Sequence, residues 1–373
     1  MSVTILDRYF LRQLLLIAVI AILIFTILWI APEIMPKAIQ GISLHQLTVM
    51  QGLQYILYQI PPVLVYSVPM AALISSVWFF RQFSLSVELI AVLSSGVSFR
   101  RLLIPIGVFG LCITVLFFIA QEYLLPQAAG RLRELSDKTG FAVQHVLDPK
   151  VTFVDKTPDG QVQKFLLINP HAAKDQNEFI ILFYEGVGDH TRIRAIMSAI
   201  HGTWDQHHGL WNLENGIIYS IDADGIYRDV HPFETLQVPT SSIPYELLAF
   251  PSSNPQEFNL RQLGQYTRLL EKSGQTEDAE FYQVRLAQRY LLIWAPLILA
   301  LFGAGIGVER SRARRNLGIT YAIALLVFYY VIVAVCTTLG SIGVLPAFIA
   351  AGLPLVLISL AGFGILKLRK SEG

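Results

Sequence analysis

Six of the eight histidines, His171, His190, His201, His207, His208 and His231, fall between residues 151 and 245, which makes that region the first place to look for metal or acid–base chemistry. No cysteine accompanies them and none forms a helical i, i+4 pair with another, so no metal site is expected. Ser198, His201 and Asp205 are the residue types of a hydrolytic triad, but any β-rich region offers such sets. No G-x-S-x-G elbow presents the serine, and no catalytic residue is assigned. The chain also contains no G-x-x-x-x-G-K-[ST] loop to cradle nucleotide phosphates. Neither an enzyme activity nor a cofactor is expected, and nucleotide hydrolysis would have to come from a partner subunit.

A second candidate is the stretch 81–101, R-Q-F-S-L-S-V-E-L-I-A-V-L-S-S-G-V-S-F-R-R. Ser84 is placed to cap a helix over 84–95, with Gly96 as its stop. Leu85, Leu89, Val92 and Leu93 then share an apolar face, with Glu88 among them. A loop in water rarely keeps that much apolar surface unless it docks into something or lies flat at a lipid interface. Docking is the reading adopted, and Ser86, Glu88, Leu89, Val92 and Gly96 are the contact candidates.

A third group is basic. Lys37, Arg131, Arg133 and Lys138 lie just past the ends of apolar runs. Two readings stand side by side. They are interfacial cations whose stems snorkel along the membrane boundary, or the four form a basic collar for an anionic lipid headgroup through charge-assisted bonds.

The elements that must position these residues are dominated by hydrocarbon. The chain has 373 residues, of which 54% are hydrophobic and 15% charged, against about 25% charged in a soluble domain. Mean hydropathy is +0.53. The net charge of +1 gives no reason to expect nucleic acid as a partner. The two cysteines, Cys112 and Cys336, both sit in apolar runs, so no disulfide framework is available. Six segments are long enough to span a membrane: about 13–31, 61–80, 102–121, 290–308, 317–339 and 344–366. The first is too long for a signal-peptide core and is followed by Pro32-Glu33-Ile34-Met35-Pro36 rather than a small-residue cleavage site, so it is read as a retained helix. Pro69 predicts a kink in the second, and Gly340-Ser341-Ile342-Gly343 a tight turn between the last two.

Orientation follows from cations in the short loops. Arg8 and Arg12 precede the first span; Arg81, Arg100 and Arg101 join the second to the third. Arg310, Arg312, Arg314 and Arg315 join the fourth to the fifth, and Lys367, Arg369 and Lys370 follow the sixth. The opposite short loops, 32–60 and 340–343, hold only Lys37. Both termini are therefore expected in the cytoplasm and residues 122–289 outside it. Within the six segments no Asp, Glu, Lys, Arg or His occurs. Such groups cost about 2.5–3.5 kcal/mol at a span's centre and mark proton relays and ion sites. Their absence argues against an ion-coupled transporter and against an intramembrane protease.

Between the two sets of spans the pattern turns to period two. Val151-Thr152-Phe153-Val154, Phe165-Leu166-Leu167-Ile168, residues 179–184, Trp211-Asn212-Leu213 and Ile217-Ile218-Tyr219 are expected strands. The turns between them are expected at Pro158-Asp159-Gly160, His208-Gly209, Asn215-Gly216 and Asp224-Gly225. Residues 127–138, 260–270 and 279–288 are expected to be helical stalks. The expected fold is an α-helical membrane protein of six transmembrane helices, 3 + 3, with an inserted all-β, jellyroll-like periplasmic domain. Its parts are 1–126 with a coupling helix near 84–95, 127–289, and 290–373.

Several stretches carry a family resemblance. Asp7-Arg8-Tyr9 opens the first span, and Ser86-Val87-Glu88-Leu89 runs on through Ser94-Ser95-Gly96-Val97-Ser98. Gly209-Leu210-Trp211-Asn212-Leu213-Glu214-Asn215-Gly216 lies in the β region, and Gly305-Ile306-Gly307, Gly318 and Tyr329-Tyr330 lie in the fourth and fifth spans. In order and placement the chain resembles the LptF/LptG family, permease subunits of the lipopolysaccharide exporter. The resemblance implies a periplasmic β-jellyroll, a second permease subunit (a paralogue or an identical copy), and a cavity that takes lipopolysaccharide from the inner membrane. It further implies a cytoplasmic ATPase dimer that receives Glu88 and its helix, lateral gates at the first and fifth spans, and jellyroll bridge proteins downstream. Lys37, Arg131 and Arg133 would be headgroup contacts. Two competing readings remain: a membrane-anchored scaffold whose β domain recruits an envelope partner, and a lipid enzyme with its site on that domain.

Overall fold

The computed structural model describes residues 5–371, except 87, 97–98, 142–150, 157–161, 172–175, 188–189, 206–207, 223–225, 240–241, 249, 251–253, 274 and 309–316. The turns expected at Pro158-Asp159-Gly160 and Asp224-Gly225, His207, and the loop cations Arg310, Arg312, Arg314 and Arg315 lie outside the described residues, as do Val87, Val97 and Ser98 of the resembling stretch. The chain divides into two compact units, residues 1–135 with 284–373, and residues 136–283.

Among the described residues, six helical segments, all or mostly in the first unit, are long and apolar enough to cross a membrane: Ile5–Ser43, Val49–Leu85, Arg101–Ser136, Asp278–Gly307, Gly318–Ser341 and Ala347–Gly364. Most run past the apolar stretches seen in sequence. Helix α1 (Ile5–Trp29) passes through a π-turn, Ile30–Ile34, into α2 (Met35–Ser43). The Met35 amide reaches back to the Ile30 carbonyl, so the chain stays helical past Pro32. The stretch 32–60 is thus helical for most of its length, with α3 (Val49–Tyr58) opened by a capping box between Thr48 and Gln51. Helix α4 (Ile60–Leu85) takes Pro61 and Pro62 in its first turn, where a missing amide is harmless, and holds Pro69 inside. It is followed by α5 (Glu88–Ser94) and α6 (Phe99–Ile119), and a second π-turn, Ala120–Leu124, leads to α7 (Leu125–Thr139).

On the other side of the insertion come α10 (Thr276–Leu291), α11 (Ala295–Gly307), α12 (Leu317–Ser341) and α13 (Ala347–Ser371). Gly303 and Gly307, one helical turn apart, let α11 lie directly on α4. A Cβ at Gly307 would stand 2.5 Å from the Val77 carbonyl oxygen, and one at Gly303 2.7 Å from that of Leu73. The expected tight pair of final spans is present, with Gly343 at φ +74 in the turn between α12 and α13.

The second unit holds one antiparallel sheet of six strands in sequential order: β1 (Val151–Lys156), β2 (Val162–His171), β3 (Gln176–Val187), β4 (His190–Asp205), β5 (Leu210–Ile221) and β6 (Tyr227–Pro239). The roll anticipated from strand spacing is built, among the described residues, as a meander. Asn215-Gly216, read from sequence as a turn, lies instead inside β5. Asn215 takes φ +52, and Gly216 leaves the space in which the Phe233 ring sits, where a Cβ would come within 2.2 Å of it. The dipeptide serves close approach rather than chain reversal. Helices α8 (Ile243–Leu248) and α9 (Leu260–Lys272) complete the unit, α9 being opened by an Asn259–Gln262 capping box.

Candidate functional site

The elbow between α4 and α6 differs from its sequence-based picture at its start. Ser84 does not cap a new helix. The spanning helix runs on through Leu85, and the Ser84 hydroxyl donates to the Phe80 carbonyl at 2.8 Å. The short helix begins at Glu88. Ser86, exposed, donates to the Phe83 carbonyl at 3.3 Å and ends α4. Glu88 is exposed, and the Tyr9 hydroxyl donates to its Oε2 at 3.4 Å. Val92 is partly buried and packs against the chain's own core cluster. The Leu89 side chain lies outside the described residues, although its backbone is helical. Gly96 ends the elbow at φ +89, a conformation that favours glycine.

Two features here had no sequence signal. Asp7 accepts a two-pronged ion pair from Arg101, at 2.9 and 2.7 Å, joining the start of α1 to the start of α6. Their side chains are 14% and 29% exposed, so the pair is only partly wet. Behind it Phe10, fully buried, meets the rings of Phe79 and Phe83 edge-on at 4.9 and 5.0 Å.

The basic candidates are placed on two helices, Lys37 half-buried on α2 and Arg131 and Arg133 on α7. Arg131 is exposed and lies 3.7 Å from Glu134. Two further cations had no role in the sequence reading, Arg285 within the expected 279–288 stalk and Arg289 between that stalk and the fourth span. Arg285 and Arg289, one turn apart on α10, are both half-buried; Glu122 of the second π-turn bears electrostatically on Arg289. On the same helix Gln288 hydrogen-bonds Thr337 of α12. The Tyr330 hydroxyl donates at 2.6 Å to the carbonyl of Tyr66, next to the one that Pro69 deprives of its amide partner.

On the sheet, residues paired across strands share a face. Phe153, Leu166, Ile181 and Met197 lie in register on one face and are buried. In the alternate rows Leu167, Ile180, Leu182 and Ile196 are half-buried, while Ile200, Ile217 and Val230 are 52%, 36% and 55% exposed. Trp204, Trp211 and Tyr245 close the far end of β4 and β5. The triad written from sequence is not assembled: Ser198, His201 and Asp205 all lie on β4, and Asp205 is engaged by His208 Nδ1 at 2.7 Å. Among the described residues no group of three His, Cys, Asp or Glu could hold a metal.

Two comparisons with known proteins bear on this arrangement. A search of curated proteins found no match. A family model described as "Lipopolysaccharide export system permease LptF/LptG" matches residues 8–368, through both sets of spans, the elbow and the sheet.

Proposed function

The chain belongs to the LptF/LptG family of lipopolysaccharide export permeases, multi-pass proteins of the inner membrane, and from that premise we propose that it works as one permease subunit of an ATP-driven exporter. The chain is the transport component. Hydrolysis belongs to a cytoplasmic ATPase dimer, which the elbow contacts through Ser86 at the end of α4, Glu88, Leu89 and Val92 of α5, and Gly96 after it. On this reading both termini lie in the cytoplasm and the sheet in the periplasm, which the excess of cations in the short loops supports. A second permease subunit, paralogous or identical, completes the lipid cavity, with α1 and α12 as its lateral gates. Lys37, Arg131 and Arg133 meet the anionic headgroup on this reading, and residues 127–289 act as the domain that passes lipid to jellyroll bridge proteins.

The observation that carries the reading is a set of open apolar positions on β4, β5 and β6. Ile200, Ile217 and Val230 are exposed on a unit that also exposes Arg194, Arg228, Asp229 and Glu234, and apolar exposure of that kind marks a contact surface for something apolar. An acyl-bearing cargo fits it.

The test places a photoreactive residue at Ile217 in the full chain, co-reconstituted with its ATPase in lipopolysaccharide-containing proteoliposomes. Illumination should yield a lipopolysaccharide adduct that depends on ATP and is lost with Glu88→Lys. An adduct absent with ATP, or equal with and without it, overturns the reading. A non-transporting scaffold gives neither dependence.

A further inference from the structure

The α5 helix has seven residues, from Glu88 to Ser94. A helix that short is not stable alone in water, because nucleation costs more than two turns return. Its position must come from what grips it, and three gripping contacts end on the same turn of α1. At the entry, Phe79, Phe80 and Phe83 of α4 surround Phe10. In the middle, Tyr9 reaches Glu88. At the exit, Asp7 holds Arg101 in a fork of two charge-assisted bonds, the geometry that fixes orientation as well as distance. Residues 7, 9 and 10 of α1 therefore touch the three successive pieces of the elbow.

We propose that Asp7 and Arg101 are positioning residues for α5, and that their ion pair ties α1 to the elbow so that a displacement of α5 by its partner moves the first span with it. This rests on the export reading above. Of the contacts at this hub, the aromatic ones tolerate sliding, and the Tyr9–Glu88 bond is long and exposed. The forked pair is the member that resists rotation of α6 against α1.

The experiment uses the full chain in nanodiscs of phosphatidylethanolamine and phosphatidylglycerol, with Cys112→Ser and Cys336→Ala removing native thiols. Spin labels at Arg12→Cys on α1 and Ser94→Cys on α5 report their separation. The parent should give one narrow distance distribution. Asp7→Asn and Arg101→Gln should each broaden it, and the exchanged pair, Asp7→Arg with Arg101→Asp, should restore it. In complexes co-purified with the ATPase, the single variants should lower substrate-stimulated hydrolysis about fivefold, and the exchanged pair should recover it. Unchanged widths in the single variants, or an exchanged pair no better than either, overturn the proposal. Widths that follow the pattern while hydrolysis does not overturn the transmission through α1. A wild-type chain that captures no ATPase refutes the export reading instead, and the distances still decide the positioning.

Discussion

Leu16 on α1 and Ile200 on β4 are exposed to nearly the same degree, 54% and 52%, yet the two exposures have opposite meanings. Around α1 the solvent is lipid, which is as apolar as leucine, so an outward Leu16 is at home and drives nothing. The sheet carries Arg194, Arg228, Asp229 and Glu234 on its surface and is built for water. There an open isoleucine forgoes about 25 cal/mol per Å2 of burial until something covers it. The cores differ in the same way. The membrane unit is held by shape, in the glycine seam of α4 and α11 and the ring cluster at Phe10. The inserted unit is held by removing apolar surface from water and by satisfying its caps.

Lipid-facing and inward positions on one helix give the sharpest contrast. Phe10→Ala should destabilise the purified chain by about 3 kcal/mol, while Leu16→Ala should change it by less than about 0.5 kcal/mol, both read from unfolding in detergent. Equal losses would mean that α1 is not lipid-facing at Leu16. Next is the seam. Gly307→Ala should cost about 2 kcal/mol because its methyl meets the Val77 carbonyl, whereas Gly107→Ala, with nothing within 4 Å of the new Cβ, should cost nothing measurable.

The smallest effect tests the inserted unit. Tyr266 is buried among the rings of Phe258 and Tyr282, and that burial pushes its hydroxyl up to about 12 from an ordinary value of 10. The folded state therefore holds the proton more tightly than the unfolded one. The stabilisation is complete below pH 10 and is lost as pH rises from 10 towards 12, by up to about 2 kcal/mol. Limited proteolysis between β6 and α10 should accelerate over that range, and Tyr266→Phe should abolish the acceleration. An alkaline transition that survives Tyr266→Phe would remove the tyrosine from this account.

The two sets of three spans and parts of β1, β2, β3 and β5 were legible in sequence because each rests on a local period, a run of apolar residues or an alternation of two; β4 and β6 were not among the expected strands. The chemistry of the elbow was legible only in part. Gly96 stands where the spacing put it, but the spanning helix overran Ser84 and Glu88 opens the short helix instead of lying inside it, because continuing α4 to the Ser86 cap satisfies the backbone that a Ser84 cap would have left. Asn215-Gly216 failed as a turn for another reason. The same dipeptide suits a hairpin or a close approach, and only Phe233, distant in sequence, decides which.

Hydropathy and the sign of loop charges depend on composition along the chain, so the sequence alone determined the number of spans, the inserted β unit and the expected sidedness. Contacts between residues far apart in sequence leave no such trace. The Asp7–Arg101 fork, 94 residues apart, the Tyr330 hydroxyl on the Tyr66 carbonyl, and the exposure of Ile200, Ile217 and Val230 were decided by the tertiary structure. The physical reason is that a pair energy depends on distance and direction in space, which local patterning does not encode.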